Sequence, residues 1–212
     1  MTTHQSIRAV LLGVAVALPG AALAQDADTP SVPGPVVDAQ WALEHQDDIT
    51  LLNVSRRPSN YDATGFVEGA PFVGMSEFLT ERPGMKDTIR YLAPSAGEFE
   101  TVVQGLGVDD GDTIVIAPAG DTVYGDATAA TRFYWQLRYF GHDNVAILNG
   151  GAAAWDGAGG AVSDSPGSGA NGTYTAGAPQ SDLLTTTADV QTVLDGGHSA
   201  QLVDNRPLMQ FT

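Results

Sequence analysis

Short apolar runs alternate with helix-forming segments along most of the chain. The runs "ITLLNV", "TIVIA" and "NVAIL" are apolar on both faces, which is typical of strands buried inside a parallel sheet. From them we predict strands at residues 51–54, 113–117 and 145–148. Because helix signals come between these strands, the pattern favours an α/β layer fold with a mainly parallel central sheet.

Helix start and stop signals flank the predicted strands. Asp38 is a candidate N-cap for a first helix, and Ser95 with Glu98 has the spacing of a capping box at the start of a second. The segment "ATAATRFYWQLRYFGH" places its apolar residues on one side and reaches a glycine stop at Gly141. A further helix is predicted from "AAAWDGAG", directly after the third strand.

The composition changes after residue 156. Residues 157–181 are almost all Gly, Ala, Ser, Thr and Pro, which is typical of a linker. Beyond them, "TTTADVQTVLDGG" predicts a short helix and "AQLVD" predicts a strand. We therefore divide the chain into a leader at residues 1–24, a domain at 36–156, a linker at 157–181 and the start of a second domain at 182–212.

The two segments "LLNVSRRPSNY" and "QLVDNRPLMQF" are similar to each other. Arg56 and Tyr61 are five positions apart, and so are Arg206 and Phe211. Each segment follows a helix signal and includes a buried strand, so the pair is an internal repeat whose second copy has barely begun. A unit of about thirty residues cannot bury a core of its own. We therefore expect Thr212 to be a truncation point rather than the natural end.

The first 24 residues are predicted to be a secretory signal peptide. Arg8 precedes an apolar run, and Ala22 and Ala24 supply the small residues of a cleavage site. A membrane anchor is the alternative, but Pro19 interrupts a run that is already too short to span a bilayer. We expect a periplasmic or secreted protein that has no membrane partner after cleavage near Ala24.

Composition and charge exclude several classes of function. The chain has 9 Lys and Arg against 25 Asp and Glu, a net charge of −16, which repels nucleic-acid phosphates and anionic lipids. Adaptation to a salty medium and simple solubility both explain this acidity. The absence of cysteine excludes disulfides, thiolate metal sites and a cysteine nucleophile within these residues. We predict no cofactor and no metal site, and interpret Asp109, Asp110 and Asp112 as solvated turn acids.

The stretch from Arg132 to Trp155, "RFYWQLRYFGHDNVAILNGGAAAW", carries many unusual residues at fixed spacing. Together with "LLNVSR" and "GFVEGAPFV" it resembles the rhodanese family, in particular the tandem two-domain sulfurtransferases. The resemblance covers residues 36–155 and resumes from residue 189. It implies a three-layer rhodanese-like domain and the transfer of sulfane sulfur from thiosulfate or 3-mercaptopyruvate to a thiophilic acceptor, either cyanide or a thiol, through a cysteine persulfide.

The resemblance also implies where the catalytic cysteine belongs. In active family domains it opens the loop after the central strand, and the matching loop here is "APAGDTVYGD". This loop offers Pro118 and Asp121, neither of which can carry a persulfide. Because the first domain of tandem members is commonly inactive, the resemblance implies a catalytic cysteine beyond Thr212 and a chain that is inactive alone.

Three residues near the end of the chain lie at positions of the family's site, two of them as the family has them. The family's strand-end motif D-x-R is degraded to Asn53-Val54-Ser55-Arg56 in the first copy but kept as Asp204-Asn205-Arg206 in the second. The resemblance implies that Asp204 and Arg206 form an ion pair that braces a loop near the site. Gln210 takes the place of a substrate-binding arginine that many tandem members carry. It is the candidate for binding the sulfur donor, but it lacks the positive charge with which the arginine binds an anion.

Other interpretations remain open for the function of the whole chain and for the roles of single residues. A non-catalytic rhodanese-like module that binds a partner or an anion fits the visible residues, whereas a phosphatase on a related fold would need a cysteine and an arginine around a phosphate loop. We interpret His142 as a structural residue at a helix end. Gly150 and Gly151 predict a tight strand-to-helix turn, and Trp135 and Trp155 are predicted to be core residues.

Overall fold

A computed structural model describes residues 29–120, 126–197 and 199–204 of the 212-residue chain. The strands are β1 (Val36–Val37), β2 (Thr50–Ser55), β3 (Phe66–Val67), β4 (Phe72–Gly74), β5 (Thr80–Pro83), β6 (Thr88–Leu92), β7 (Ile114–Ala117), β8 (Val145–Leu148) and β9 (Val162–Ser163). The α-helices are α1 (Ala39–Glu44), α2 (Ala96–Gly105), α3 (Asp126–Tyr139), α4 (Gly151–Gly157) and α5 (Thr187–Leu194).

Five strands form the central sheet in the order β1-β8-β7-β2-β4, and every neighbouring pair is parallel. Strand β2 lies between β7 and β4, inside the sheet, as its apolar sequence predicts. The bounds of β2, β7 and β8 agree with the three predicted strands to within one residue. The predicted α/β class with a mainly parallel sheet is therefore confirmed.

Successive residues of the central strands supply two hydrophobic cores, one on each face of the sheet. Leu52 and Ile114 lie in the core that α2 and α3 cover, whereas Val115 and Leu148 lie in the core that α1 and α4 cover. The helices contribute Phe99, Val103, Phe133 and Leu137 to the first core and Ala42, Ala152 and Trp155 to the second. The result is the expected arrangement of three layers, with helices on both faces of the sheet.

The predicted helix ends have the predicted hydrogen bonds. The backbone N–H of Trp41 donates to Asp38 Oδ1 at 2.8 Å, which caps α1. At α2 the backbone N–H of Ser95 donates to Glu98 Oε2 at 2.8 Å, and the backbone N–H of Glu98 donates to Ser95 Oγ at 3.4 Å, which completes the capping box. Gly141 follows α3 with a φ of +90°, a conformation that glycine adopts without strain.

The segment 157–181 is mostly irregular, yet side chains of the sheet domain hold it in place. Asp109 Oδ1 accepts from the backbone N–H of Thr173 at 2.7 Å, and Asp110 Oδ1 accepts from that of Thr175 at 2.6 Å. Tyr174, between the two threonines, is buried in the core beneath α2 and α3. Asp109 and Asp110 are exposed, as expected of solvated turn acids, and both carboxylates also accept hydrogen bonds from this segment. The domain boundaries stay a prediction.

The C-terminal part of the described chain confirms one predicted element and corrects another. Helix α5 has the predicted position, and Thr186 and Asp189 form its capping box. Residues 201–204, which end at Asp204, form no strand, and Leu202 and Val203 are 53% and 80% exposed. A strand is stabilised by hydrogen bonds to a neighbouring strand, and the described residues provide no neighbour here.

The predicted signal peptide lies outside the described residues. Within residues 29–120, 126–197 and 199–204, no helix combines the length and the apolar character that crossing a membrane requires.

Candidate functional site

The carboxyl ends of the parallel strands meet at one edge of the sheet, where open α/β folds usually bind their ligands. Strand β2 ends at Ser55, β7 ends at Ala117 and β8 ends at Leu148. We call residues 55–61, 117–120 and 149–151, which follow these strand ends, the strand-end rim. The loop in which the resemblance places a cysteine begins here.

Asn53 fixes the chain segment that lies beside the strand-end rim. Its side chain is fully buried and makes three hydrogen bonds. Oδ1 accepts from the backbone N–H of Val67 at 3.0 Å, while Nδ2 donates to the carbonyl oxygens of Val67 at 3.2 Å and Ala70 at 2.8 Å. The asparagine therefore makes hydrogen bonds here that the family's aspartate could not make, because only a neutral amide supplies both the acceptor and the two donors.

Two further side chains, both in the first copy of the repeat, make hydrogen bonds at the strand-end rim. The Nδ2 of Asn60 donates to Ser55 Oγ at 2.6 Å, and the hydroxyl of Tyr61 donates to the carbonyl oxygen of Ala117 at 2.6 Å. Tyr61 is buried and stacks on Phe66 with ring centroids 4.4 Å apart. The aromatic residue of the repeat therefore joins the ends of β2 and β7 in this copy.

Pro118 lies directly after β7 and is buried against the start of α4. Its carbonyl oxygen accepts from the backbone N–H of Ala152 at 2.8 Å. A Cβ added to Gly151 would lie 2.0 Å from this same oxygen, so only glycine allows the approach. Gly150 and Gly151 have φ of +76° and +59°, which confirms the predicted tight turn and joins the rim loop to α4.

The remaining predicted site residues lie outside the described part of the chain. These are Asp121, Arg206 and Gln210, so their roles stay predictions. Asp204 is described and exposed, but its proposed partner Arg206 is not described.

The rim offers no group that could accept a sulfur atom covalently. Its described side chains are hydroxyls, amides, aromatic rings and exposed guanidinium groups such as that of Arg56, and the whole sequence lacks cysteine. Among the described residues, no group of three or more His, Asp and Glu side chains is placed to hold a metal ion.

Three other predicted roles can be compared with the described structure. His142 is buried at the end of α3, and its Nε2 lies 3.0 Å from the carbonyl oxygen of Asp112, which agrees with a structural role. Trp155 is a core residue, as predicted. Trp135 is only partly buried, and the prediction that it is a core residue is wrong. It stacks on Tyr139 instead, with ring centroids 4.8 Å apart.

We expect the protein to lose stability as the pH falls below the ordinary histidine pKa of 6.5. Burial lowers the pKa of His142 in the folded state, so the unfolded chain takes up the proton more readily. The contribution of the neutral ring is present above the unfolded-state pKa and is lost as the pH falls toward the folded-state pKa. Urea unfolding at several pH values should show this loss in the wild type and a smaller one in His142→Gln. Equal slopes in both proteins would contradict the assignment.

No family model matched the chain. Individual proteins did match it. Chicken (Gallus gallus) thiosulfate sulfurtransferase is 33% identical over 176 residues, which are 83% of this chain and 55% of the chicken protein. Escherichia coli K12 3-mercaptopyruvate sulfurtransferase is 28% identical over 129 residues, 56% of this chain and 43% of that protein. The chain thus spans about half the length of the curated relatives it matches.

A solved structure gives the fold. SseA from Escherichia coli, described as a 3-mercaptopyruvate sulfotransferase with the rhodanese fold, superposes with a TM-score of 0.68 at 24% identity. The match covers 84% of this chain and 67% of SseA. The parallel sheet with helices on both faces and a loop at its carboxyl edge is accordingly a rhodanese fold. The homologues of this chain are thiosulfate and 3-mercaptopyruvate sulfurtransferases.

Sequence reasoning missed the residues that organise the rim. The sequence marks Asn53 only as a departure from the family motif, and Gly151 only as a turn residue. Their partners lie 14 and 17 positions away for Asn53, and more than thirty positions away for Gly151. The signal that could have found Asn53 is an amide in an otherwise apolar buried strand, since a buried polar side chain needs partners.

Proposed function

We propose that this chain is the non-catalytic rhodanese-like part of a sulfurtransferase whose catalytic cysteine lies in residues that follow Thr212. The homology to thiosulfate and 3-mercaptopyruvate sulfurtransferases, above all the 33% identity over 176 residues to the chicken enzyme, carries the proposal. The sulfur donor would be thiosulfate or 3-mercaptopyruvate, and the acceptor would be cyanide or a thiol.

The proposed chemistry requires a thiolate. With thiosulfate as the donor, the thiolate attacks the outer sulfur, the S–S bond of thiosulfate breaks, and sulfite leaves with the electron pair. Cyanide then attacks the outer sulfur of the persulfide, which releases thiocyanate and restores the thiolate. The serine and threonine hydroxyls of this chain cannot replace it, because an alkoxide is very rare at neutral pH without an activating base, and sulfane sulfur is a soft electrophile.

The closed geometry of the strand-end rim supports a covering role for this domain. The carbonyl oxygens of Ala117 and Pro118 accept from Tyr61 and Ala152, so the first residues after β7 are held by their own domain. A preorganised surface of this kind can shape one wall of a cleft that a second domain completes. The proposed cleft would use the second domain's cysteine, with Gln210, Asp204 and Arg206 near it.

We expect residues 25–212 alone to show no sulfur transfer, and the full-length gene product to be active. The assay would follow thiocyanate formation from thiosulfate and cyanide, and pyruvate formation from 3-mercaptopyruvate. The full-length protein with its cysteine changed to serine is the matched control. Turnover by residues 25–212 above a heat-treated sample would overturn the requirement for a cysteine.

A non-catalytic binding module is the second candidate function. It is favoured by the combination of a cysteine-free sequence and a rim loop whose described carbonyl oxygens at Ala117 and Pro118 are occupied within the domain. The same assay separates the two functions. An inactive full-length protein, correctly folded by circular dichroism, would support the binding module.

We also propose that the protein is exported. The support is the pattern of Arg8, an apolar run and a small-residue cleavage site at Ala24. N-terminal sequencing of the protein from its native host should begin near Gln25. An intact Met1 in the membrane fraction would argue for an anchor instead.

A further inference from the structure

A groove of about 640 Å³ lies between the β5–β6 hairpin, α3 and the segment that leads into α5. We call it the Arg132 groove. Its walls include Arg82, Tyr91, Arg132, Trp135, Tyr139 and Leu184. None of the strand-end rim residues lines it, so it is separate from the site described above.

Arg132 is a half-buried cation without a carboxylate partner among the described residues. Its Nη2 donates to the carbonyl oxygen of Tyr91 at 3.2 Å, while its buried Nε has no acceptor there. The ion pairs of the described chain are Arg90–Glu81 and Arg138–Asp143, and Arg132 belongs to neither. Burial also lowers the pKa of Arg132. Arg132 also lines the groove, where a ligand can reach the guanidinium group without displacing a carboxylate of the described chain.

The charged residues that line the groove are two arginines and one carboxylate. Arg82 and Arg132 both line the groove, and the one carboxylate among the lining residues, Glu81, pairs with Arg90 at 3.9 Å. The chain as a whole carries a net charge of −16 with 9 Lys and Arg. At physiological salt, acids more than roughly 8 Å away are largely screened, so the charges that line the groove matter most to a ligand there.

The backbone conformation of Tyr91 also points to a binding site at the groove. It has a φ of +62° and is the one non-glycine residue with positive φ in the described parts of the chain. Such a conformation costs of order 1–3 kcal/mol and clusters at binding sites. The carbonyl oxygen of this strained residue is the one that holds the guanidinium group of Arg132.

The walls of the groove are largely apolar and already in place. The guanidinium carbon of Arg132 lies 4.8 Å from the centre of the Trp135 ring, which in turn stacks on Tyr139. The indole N–H of Trp135 donates to the carbonyl oxygen of Leu183 at 3.1 Å, and the backbone N–H of Gln180 donates to that of Tyr139 at 2.9 Å. These two hydrogen bonds hold the segment that leads into α5, which forms one wall of the groove.

We propose that the Arg132 groove binds a small organic carboxylate, whose carboxylate contacts Arg132 and whose apolar body lies along Trp135 and Tyr139. The groove has the size of an ordinary small-molecule site, and a guanidinium group matches a carboxylate in geometry and charge. The inference does not depend on sulfur transfer. It holds equally if the protein is a sulfurtransferase or a binding module, and its test needs no activity.

The test uses 4-phenylbutyrate as the probe and its neutral amide, 4-phenylbutyramide, as the matched control ligand. Each is titrated into the 212-residue chain while the tryptophan fluorescence and the heat of binding are recorded. We expect the carboxylate to bind in the millimolar range or tighter and to change the emission of Trp135, and the amide to bind at least about tenfold more weakly. Equal binding of both probes, or binding of neither, would overturn the proposal.

Two arginine variants locate the binding. Arg132→Gln should weaken binding of 4-phenylbutyrate about tenfold, whereas Arg138→Gln, on the same helix but outside the groove, should leave it unchanged. Circular dichroism and urea unfolding of both variants show whether they are folded. If Arg132→Gln fails to fold, Trp135→Leu serves in its place, and it should remove the fluorescence change and weaken binding. Unaltered binding in a folded Arg132→Gln protein would overturn the proposal.

Discussion

Asn53→Asp is expected to destabilise the protein by about 3–5 kcal/mol at neutral pH, since it places an unpaired charge in a fully buried position. The carboxylate would face the carbonyl oxygens of Val67 and Ala70, to which the amide now donates. It would keep the acceptor for the backbone N–H of Val67 and lose both donors. Chemical unfolding in urea measures the difference in the free energy of unfolding.

The pH dependence of the stability of Asn53→Asp provides an independent test of this expectation. Burial and the two facing carbonyl oxygens raise the pKa of the new carboxyl group in the folded state, so the folded state holds its proton to higher pH. The stability of Asn53→Asp relative to wild type should therefore fall as the pH rises above about 3.9, the ordinary aspartate value.

Asn149→Asp is the matched control for this substitution. It adds the same charge at an exposed position after β8, and its stability should stay within about 0.5 kcal/mol of wild type. If Asn53→Asp were as stable as this control, the amide would be dispensable, and the aspartate of the family motif would fit the site equally well.

Gly151→Ala is expected to destabilise the protein by about 3 kcal/mol, since it combines backbone strain with a steric clash. Gly151 has a φ of +59°, and a Cβ there would lie 2.0 Å from the carbonyl oxygen of Pro118. Relief would require the loop after β7 to move away from α4, which would break the 2.8 Å hydrogen bond from the backbone N–H of Ala152. Thermal and urea unfolding should both show the loss.

Gly157→Ala is the control within the same helix. A Cβ at this position meets no atom within 4 Å, and its φ is not positive. This substitution should be neutral or should stabilise the protein by about 0.5–1 kcal/mol, because alanine loses less conformational freedom than glycine on folding. Equal losses in both variants would show that the contact between Gly151 and Pro118 has no special cost.

Much of the sheet domain could be predicted because its signals are local. The buried strands appear as short apolar runs, and the caps at Asp38 and Ser95 depend on residues three positions apart. The segment "AQLVD" carries the same kind of signal as β2, yet residues 201–204 form no strand. An apolar run specifies a strand only where a neighbouring strand accepts its hydrogen bonds.

The candidate site could be predicted only in outline. The resemblance placed Pro118 at the end of the central strand, and the structure agrees, since Pro118 follows β7 directly. The contacts that define the rim join Tyr61 to Ala117 across 56 positions. The contact that defines the Arg132 groove joins Arg132 to Tyr91 across 41 positions. No spacing pattern in the sequence predicts contacts between residues so far apart along the chain.

The sequence by itself determined the α/β class, the central strands, the capped helices and the absence of a thiolate from these 212 residues. Each of these depends on residue type or on neighbours within a few positions. The tertiary structure alone decided that Asn53 ties down the segment beside the rim and that Asp109 and Asp110 hold the irregular segment 157–181. It also decided that Arg132 faces a groove. The physical reason is that a buried or desolvated polar group takes the partner that folding brings to it, and that partner is set by the packing of whole layers.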